Sequence, residues 1–538
     1  MGGVSSSPGP AAVASPPGPA VEAEAARRRS FAIISHPDAG KTTLTEQLLV
    51  HTGAVQEAGS VRAKRHRSHT TSDFMELEQR RGISVSSTAL RLEHGGLVLN
   101  LIDTPGHEDF SQDTFRALAA VDGVIMVLDA TRGVEERTRQ LFAACKVRGL
   151  PVITFANKSD RPGVEPLGVL DDIETQLGLE PVALTWPVGC HGNLQGVVDR
   201  TQDRFLALER VLGRPPAVDP RPLDALDPSA DPDHARALEE LDLLEAAGGE
   251  LDPERVLDGV QTPVLFGAAS IGFGVDELLE AVGRLSPPPR ARQDRTGTSR
   301  PLDGPFTAQV FKVQANLDAR HRDQLAFLRV VAGRFERGMR VTNARTGRPI
   351  ALLHAHDIFA RERRSLDEAF PGDVVGVSGA GDLVAGDTLA SGAPVQLEAI
   401  PAFAPQLLQR VRLRDVLRHK QFHRGLDQLE AEGVVHVLEE GHVGRQTPVL
   451  GAIGALQFEV AAERFASEFG TRVGFEPTPW NACRLTDAAG AAALDGRARA
   501  TVLRDGRGRH WAAFASIHDL HRFAGQHPDV RLDELVGD

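Results

Sequence analysis

The stretch from Phe31 to Thr43 constrains this chain more than any other. Its apolar run, Phe31 to Ile34, reads as a short buried parallel strand. The run breaks into a loop of Ser35, His36, Pro37, Asp38, Ala39 and Gly40 and resumes as a helix near Lys41, Thr42 and Thr43. A strand, a loop ending in Gly-Lys-Thr and a helix are the parts of a phosphate cradle, in which loop amides and the helix N-terminus wrap a triphosphate. Lys41 would reach the β- and γ-oxygens, and the hydroxyl of Thr42 would ligate Mg2+. The usual pattern has glycine where Ser35 stands. A plain strand-to-helix turn with a chance Gly-Lys-Thr is therefore the competing reading, and the rest of the chain has to decide.

Two further apolar runs end in chemistry. Leu99 to Ile102 closes on Asp103, followed by Thr104, Pro105, Gly106 and His107. A carboxylate at Asp103 would sit beside the cradle and hold magnesium through water. Gly106 offers an N–H that can approach a γ-phosphate without steric conflict, and His107 stands where a side chain could orient an attacking water. Thr-Pro-Gly is also simply a good turn; what argues for function is an apolar strand ending in Asp roughly 60 residues after Gly-Lys-Thr. Pro151 to Ala156 closes on Asn157, Lys158, Ser159 and Asp160. A carboxylate at Asp160 can accept from both N1–H and the exocyclic amine of guanine, a donor pair that adenine lacks. Lys158 would lay its aliphatic stem along the base. Together the three stretches specify GTP rather than ATP.

The chain is multidomain. Strands alternating with helices give a doubly wound parallel sheet for residues 28–290, with a helical insertion at about 200–260. Ser286-Pro-Pro-Pro-Arg290 opens a linker. Short strands separated by glycine turns then predict an all-β barrel over 304–395. Residues 400–538 change period to an α+β domain whose βαββαβ order is that of a ferredoxin-like split βαβ, expected to dock rather than catalyse. The Pro371-Gly-Asp373 step reads as a turn and nothing more. Residues 1–27, rich in Pro, Ala, Gly and Ser, read as a disordered extension without a signal-peptide core. With 538 residues, three scattered cysteines and no long apolar run, the expectation is a cytoplasmic protein with neither disulfide framework nor membrane span. The net charge of −13 means that an RNA-rich partner must be met by local basic patches.

Ser35 to Thr43, Arg81-Gly-Ile-Ser84, Asp103-Thr-Pro-Gly-His-Glu-Asp-Phe110 and Asn157 to Asp160 together resemble the translational GTPases, the elongation factor G-like superfamily. Thr185-Trp-Pro-Val-Gly-Cys190, Val313 to Asp323, Phe370-Pro-Gly-Asp373 and Leu456-Gln-Phe-Glu-Val460 narrow the resemblance to its class II release factors. The resemblance implies that Lys41 and the loop amides bind phosphates, with Thr42 and Ser84 on magnesium directly and Asp103 through water. Gly106 would sense the γ-phosphate and His107 would position the hydrolytic water, with Pro37 and Ile83 as an apolar gate. Asn157 and Asp160 would read guanine, with Ala268 and Ala269 at its far edge. It further implies GTP hydrolysis triggered by the large ribosomal subunit, in a monomer that promotes departure of class I release factors after peptide release. No sequence-specific nucleic-acid binding is expected. A translocase of the elongation factor G type, or another ribosome-associated translational GTPase, is the alternative; the translocase needs more chain beyond the barrel than the 140 or so residues that follow it.

Overall fold

The structure is a computed structural model describing residues 20–54, 88–105, 111–189, 192–209, 217–315, 324–359, 362–379, 383–441 and 447–536. Ser84, Gly106 and His107, together with Ile83 and Cys190, lie outside the described residues.

Strand β1 (Arg28–Ser35) is central to a seven-stranded sheet. It lies between β3 (Leu97–Asp103) and β4 (Gly123–Asp129), parallel to both, and β5 (Val152–Asn157) pairs parallel with β4. Strands Gln261–Phe266 and Glu180–Ala183 extend that parallel side, while β2 (Thr88–His94) closes the other edge antiparallel to β3. Side chains alternate across a strand, so an unbroken apolar run must be covered on both faces. Phe31 and Ile33 enter one core with Leu44, Leu48 and Leu278. Ala32 and Ile34 enter the opposite core with Met126, Leu128 and Leu141. This double burial fixes the strand ends that carry the polar residues.

Two expectations are corrected here. The extension expected to stay disordered through residue 27 is folded from Val21. Helix α1 (Val21–Ala26) leads directly into β1, held by Arg28 pairing with Glu24 at 2.7 Å and Arg27 donating to the Gly96 carbonyl at 3.1 Å. Its alanines favour the helix, and the Glu24–Arg28 spacing is one helical turn. The insertion is also more than helical. Strands Thr185–Val188, Gly196–Asp199, Arg204–Glu209 and Ala217–Pro222 form an antiparallel sheet. Helix Pro232–Ala247, capped by Asp231, packs on it through Trp186, whose indole N–H donates to Glu240 at 3.0 Å.

Beyond the linker, eight antiparallel strands from Thr307 to Ala390 curl around one apolar cluster as a half-barrel. The C-terminal region holds a second seven-stranded sheet. Its first four strands in chain order, Leu407–Leu413, His436–Glu440, Val449–Ala452 and Val473–Pro477, lie in spatial order four-one-three-two, the split βαβ arrangement. Strands Ala500–Asp505, His510–Phe514 and Ala482–Thr486 then continue the same sheet, with helices Ala488–Leu494 and Ile517–Gln526 on it. Among the described residues no helix is long and apolar enough to cross a membrane.

The Pro371-Gly-Asp373 turn is more than a turn. It inserts against the amino-terminal ends of β1 and β3. The Gly372 carbonyl accepts from Ser30 Oγ at 2.8 Å, from Asn100 Nδ2 at 3.0 Å and from Arg329. Asp373 accepts from Arg28 Nε at 2.8 Å and Asn100 Nδ2 at 3.2 Å, and Arg329 also pairs with Asp122. Gly372 has φ +104°, and a Cβ there would lie 2.6 Å from Pro289 and 3.0 Å from Arg28 Cβ. Gly372→Ala is therefore expected to cost about 1–3 kcal/mol. Thermal unfolding should shift down by several degrees and protease should cut the 286–303 linker faster; an unchanged melt and cleavage rate would contradict this role for the turn.

Candidate nucleotide site

Ser35 is the last residue of β1, paired in register with Val127, and it lies outside the positive-φ region. Its backbone is ordinary strand, so the position makes no demand for glycine. The tight bend comes later, at Asp38 (φ +67°) and Gly40 (φ +103°). Gly40 precedes α2 (Lys41–His51), and a Cβ on it would lie 2.2 Å from Asn157 Nδ2. The loop is thus bent at its end, where α2 presents its first N–H groups. His36, Pro37 and Asp38 lie towards the surface; Ala39 is buried. His36 faces Glu135 through Nε2 at 3.5 Å, and its buried Nδ1 has no hydrogen-bond partner.

Lys41 is buried and pairs with Asp103 at 2.6 Å. These two residues, 62 positions apart in sequence, meet because β1 and β3 are parallel neighbours. Thr104 donates to the Ile33 carbonyl at 2.6 Å, tying the segment after β3 to β1, and Pro105 is buried beside it. Thr42 and Thr43 are half-buried at the start of α2. Hence a cation and a carboxylate meet at the carboxyl ends of the parallel strands, where ligands of open α/β sheets sit, with Thr42 next to the cation in sequence.

Asn157 staples three segments together. Its Nδ2 donates to the Ala39 carbonyl at 2.8 Å, and its Oδ1 accepts the Ala269 N–H at 2.9 Å. Lys158, at φ +68°, donates to the Asp38 carbonyl at 2.6 Å and pairs with Asp129 at 2.7 Å. Asp129 in turn accepts from the backbone and hydroxyl of Thr131 at 2.9 and 2.6 Å. Burial pushes the Asp129 carboxyl up, but the bonds from Lys158 and Thr131 outweigh it and hold the group below the usual carboxylate range. Asp160 Oδ1 is buried without a partner. Such an oxygen is costly unless a ligand donor satisfies it. Ala268 bonds through its N–H to the Phe273 carbonyl, and Ala269 spends its own on Asn157, so both act here through the backbone.

The structure therefore brings together Ser35 through Thr43, Asp103 to Pro105, Asn157, Lys158, Asp160, Ala268 and Ala269. Asp129 and Thr131 are participants that motif reading passed over. The available sign was a carboxylate closing the apolar strand Gly123 to Leu128, the same pattern that marks Asp103.

Comparison with known proteins bears on the domains. Residues 26–288 match the elongation factor Tu GTP binding domain, and residues 305–392 match elongation factor G domain 2. Residues 397–524 match the C-terminal domain of the class II release factor RF3. Peptide chain release factor 3 of Acaryochloris marina is 43% identical over 518 residues, covering 95% of both chains. The chain belongs to the peptide chain release factor 3 family. Other members, from Cyanothece sp. and Gloeobacter violaceus, are 42% and 41% identical and cover 96% of this chain, with 96% and 99% of their own lengths spanned. A crystal structure from Thermus thermophilus superposes with a TM-score of 0.68 at 24% identity, covering 90% of this chain and 72% of that one. It speaks to the fold. Family membership makes this a translational GTPase acting in termination, and the site above lies in its GTP-binding domain.

Because Asn157 holds both the phosphate loop and the Ala269 loop, Asn157→Ala removes two buried hydrogen bonds, worth together about 1–3 kcal/mol. GDP affinity, read by titration with a fluorescent analogue, should fall roughly tenfold or more. Affinity equal to that of the unaltered chain would show that the loops hold their shape without it.

Proposed function

We propose that this chain is a ribosome-activated GTPase that promotes departure of the class I, stop-codon-reading release factor once the peptide has been released. The observation that carries the reading is one chain joining a GTP-binding domain to a class II release factor C-terminal domain, with the half-barrel and the C-terminal domain both in contact with the GTP-binding domain's next helix after Asp103–Pro105. That helix, α3 (Ser111–Ala119), touches the half-barrel through Asp113 and Lys312 at 3.7 Å. It touches the C-terminal domain through Arg116, donating to the Glu432 carbonyl at 2.8 Å, and through Phe115 stacked edge-on against Phe403. A nucleotide-dependent shift at Pro105–Gly106 would thus be felt by both downstream domains.

In this reading Asp160 accepts the guanine donor pair, which satisfies its orphaned oxygen. The cradle amides and Lys41 hold the β- and γ-phosphates, with Lys41 exchanging its contact with Asp103 for phosphate. Among the described residues no three His, Cys, Asp or Glu side chains are gathered around a metal. The hydroxyl of Thr42 and the carboxylate of Asp103 nevertheless suit a hard cation that takes its other oxygens from nucleotide and water. Mg2+ bound there would offset charge on the phosphates. Ser84 would add a second hydroxyl. Water attacks the γ-phosphorus, the bond to the β-phosphate oxygen breaks, and GDP and phosphate leave. By resemblance to the family, His107 orients that water, and Pro37 and Ile83 flank His107 as an apolar gate. The proposed setting is the cytoplasm, on the large subunit of the ribosome.

The deciding measurement is GTP hydrolysis with and without ribosomes carrying a class I release factor. Marked stimulation is expected, and a rate indifferent to ribosomes would overturn the reading. His107→Ala should keep GTP binding and lose the stimulated turnover. Separately, Asp160→Asn replaces an oxygen acceptor pair by one acceptor and one donor, and GTP affinity should drop by about tenfold or more. ATP should fail to compete with GDP on the unaltered chain; effective competition would remove Asp160 from base recognition.

A further inference from the structure

The two most exposed large aliphatic side chains among the described residues are neighbours: Leu417 is 93% exposed and Val416 79%. Local bonding holds them out. Asp415 accepts the Leu417 N–H at 3.0 Å and so builds a single 3-10 turn, Val416–Arg418, that runs straight into helix His419–Glu432. Arg414 N–H donates to the Arg472 carbonyl at 3.1 Å, closing the corner between the strand ending at Leu413 and the one starting at Val473. Every residue from Arg414 to Lys420 is exposed.

The charge at this corner is one-sided. Arg418 has Asp415 only at 4.0 Å, while among the described residues Arg414, Lys420, Arg424 and Arg472 form no ion pair. Cations crowd the helix start, whose first turn holds no acidic residue. That arrangement opposes the helix dipole and costs stability, a local conflict of the kind that marks a working surface. The rest of the chain carries the opposite charge, the whole summing to −13.

We propose that this corner is a contact for folded RNA, with the arginines and Lys420 on backbone phosphates and Leu417 laid against the sugars of the groove. The inference rests on the ribosomal reading above. An RNA-rich particle repels a chain of net charge −13 and admits it only through a cationic face. Unpaired arginines suit bidentate phosphate contacts. Val416 and Leu417 are aliphatic and provide no stacking platform, so the contact reads backbone and shape rather than base sequence.

The test uses the full chain, ribosomes and the triple variant Arg414→Gln, Arg418→Gln, Lys420→Gln, all at exposed positions. GDP affinity serves as the folding control and should not move. Removing one phosphate neutralisation should flatten the slope of log affinity against log salt by about 0.7–0.9. Ribosome binding by the triple variant should therefore become less salt-dependent by roughly 2 in slope and weaker by at least tenfold. A photoreactive amino acid in place of Leu417 should cross-link to ribosomal RNA. If the unaltered chain binds ribosomes but the variant keeps its affinity and slope, the surface proposal is wrong while the functional reading stands. Cross-linking only to ribosomal protein, or partition of the unaltered chain onto anionic lipid vesicles in preference to ribosomes, also overturns it. An unaltered chain that ignores ribosomes removes both.

Discussion

The junction at Gly372 and Asp373 is the constraint on which the arrangement of domains depends. Arg28, Asp373 and Arg329 are nearly inaccessible to water, as are Ser30 and Asn100. Taking such groups out of water is costly, and their mutual attraction offsets that cost only when each finds its partner. The junction therefore acts less as a source of stability than as a selector of geometry. A small rotation between the nucleotide domain and the half-barrel would leave several buried polar groups unpaired together, each at about 1–3 kcal/mol. Register supplies the other half of the fit. Ser30 lies opposite Asn100 in the β1–β3 ladder, so one carbonyl, that of Gly372, can bind both.

The same strand that meets this turn at Arg28 ends at Ser35 in the phosphate loop. Eight strand residues at about 3.3 Å each separate the two ends by roughly 23 Å. Being buried on both faces, β1 behaves as a strut between loop and junction. Helix α3 is the other connection, and it differs in kind. It lies after the Asp103–Pro105 segment in chain order, its buried Ala117 and Leu118 share an apolar cluster with Phe311 and Phe327 of the half-barrel, and Arg116 and Phe115 reach the C-terminal domain. The strut meets the half-barrel through paired, directional polar groups, whereas the helix meets it through non-directional apolar packing, which makes the helix the element through which a change at the nucleotide would be passed on.

Much of the fold was legible because continuous apolar runs have few alternatives: Phe31 to Ile34, Gly123 to Leu128 and Pro151 to Ala156 must be doubly covered strands. The guanine and phosphate motifs sit at the ends of those runs, so their meeting follows from parallel topology. Other features depend on partners distant in sequence and leave no local mark. Asp129 becomes part of the site only because Lys158 reaches it from the next strand. Pro371-Gly-Asp373 has the composition of any turn, and partners distant in sequence give it a role, among them Arg28, 345 positions away. The strands from Thr185 to Pro222 were obscured by proline and aspartate, which lower strand propensity locally while Trp186 and Phe205 still bury their rings. The sheet beyond Pro477 was hidden for a different reason. Its strands complete an edge left by the first four, and an edge is a property of the fold rather than of any segment.

Ser35 shows how a broken motif can be an intact structure. Glycine is required where φ is positive or where a Cβ would collide, and in this loop both conditions fall on Gly40. Ser35 satisfies neither, since it is still strand. The remaining strain is placed on Asp38 and Lys158, two non-glycine residues with positive φ that are bonded to each other, Lys158 Nζ donating to the Asp38 carbonyl. Each such backbone conformation costs about 1–3 kcal/mol and persists only where surrounding contacts over-determine it. Asp129 and Asn157 are those contacts. The loop is thus pre-bent by side chains from the ends of β4 and β5, so the two candidate nucleotide motifs share one set of bonds.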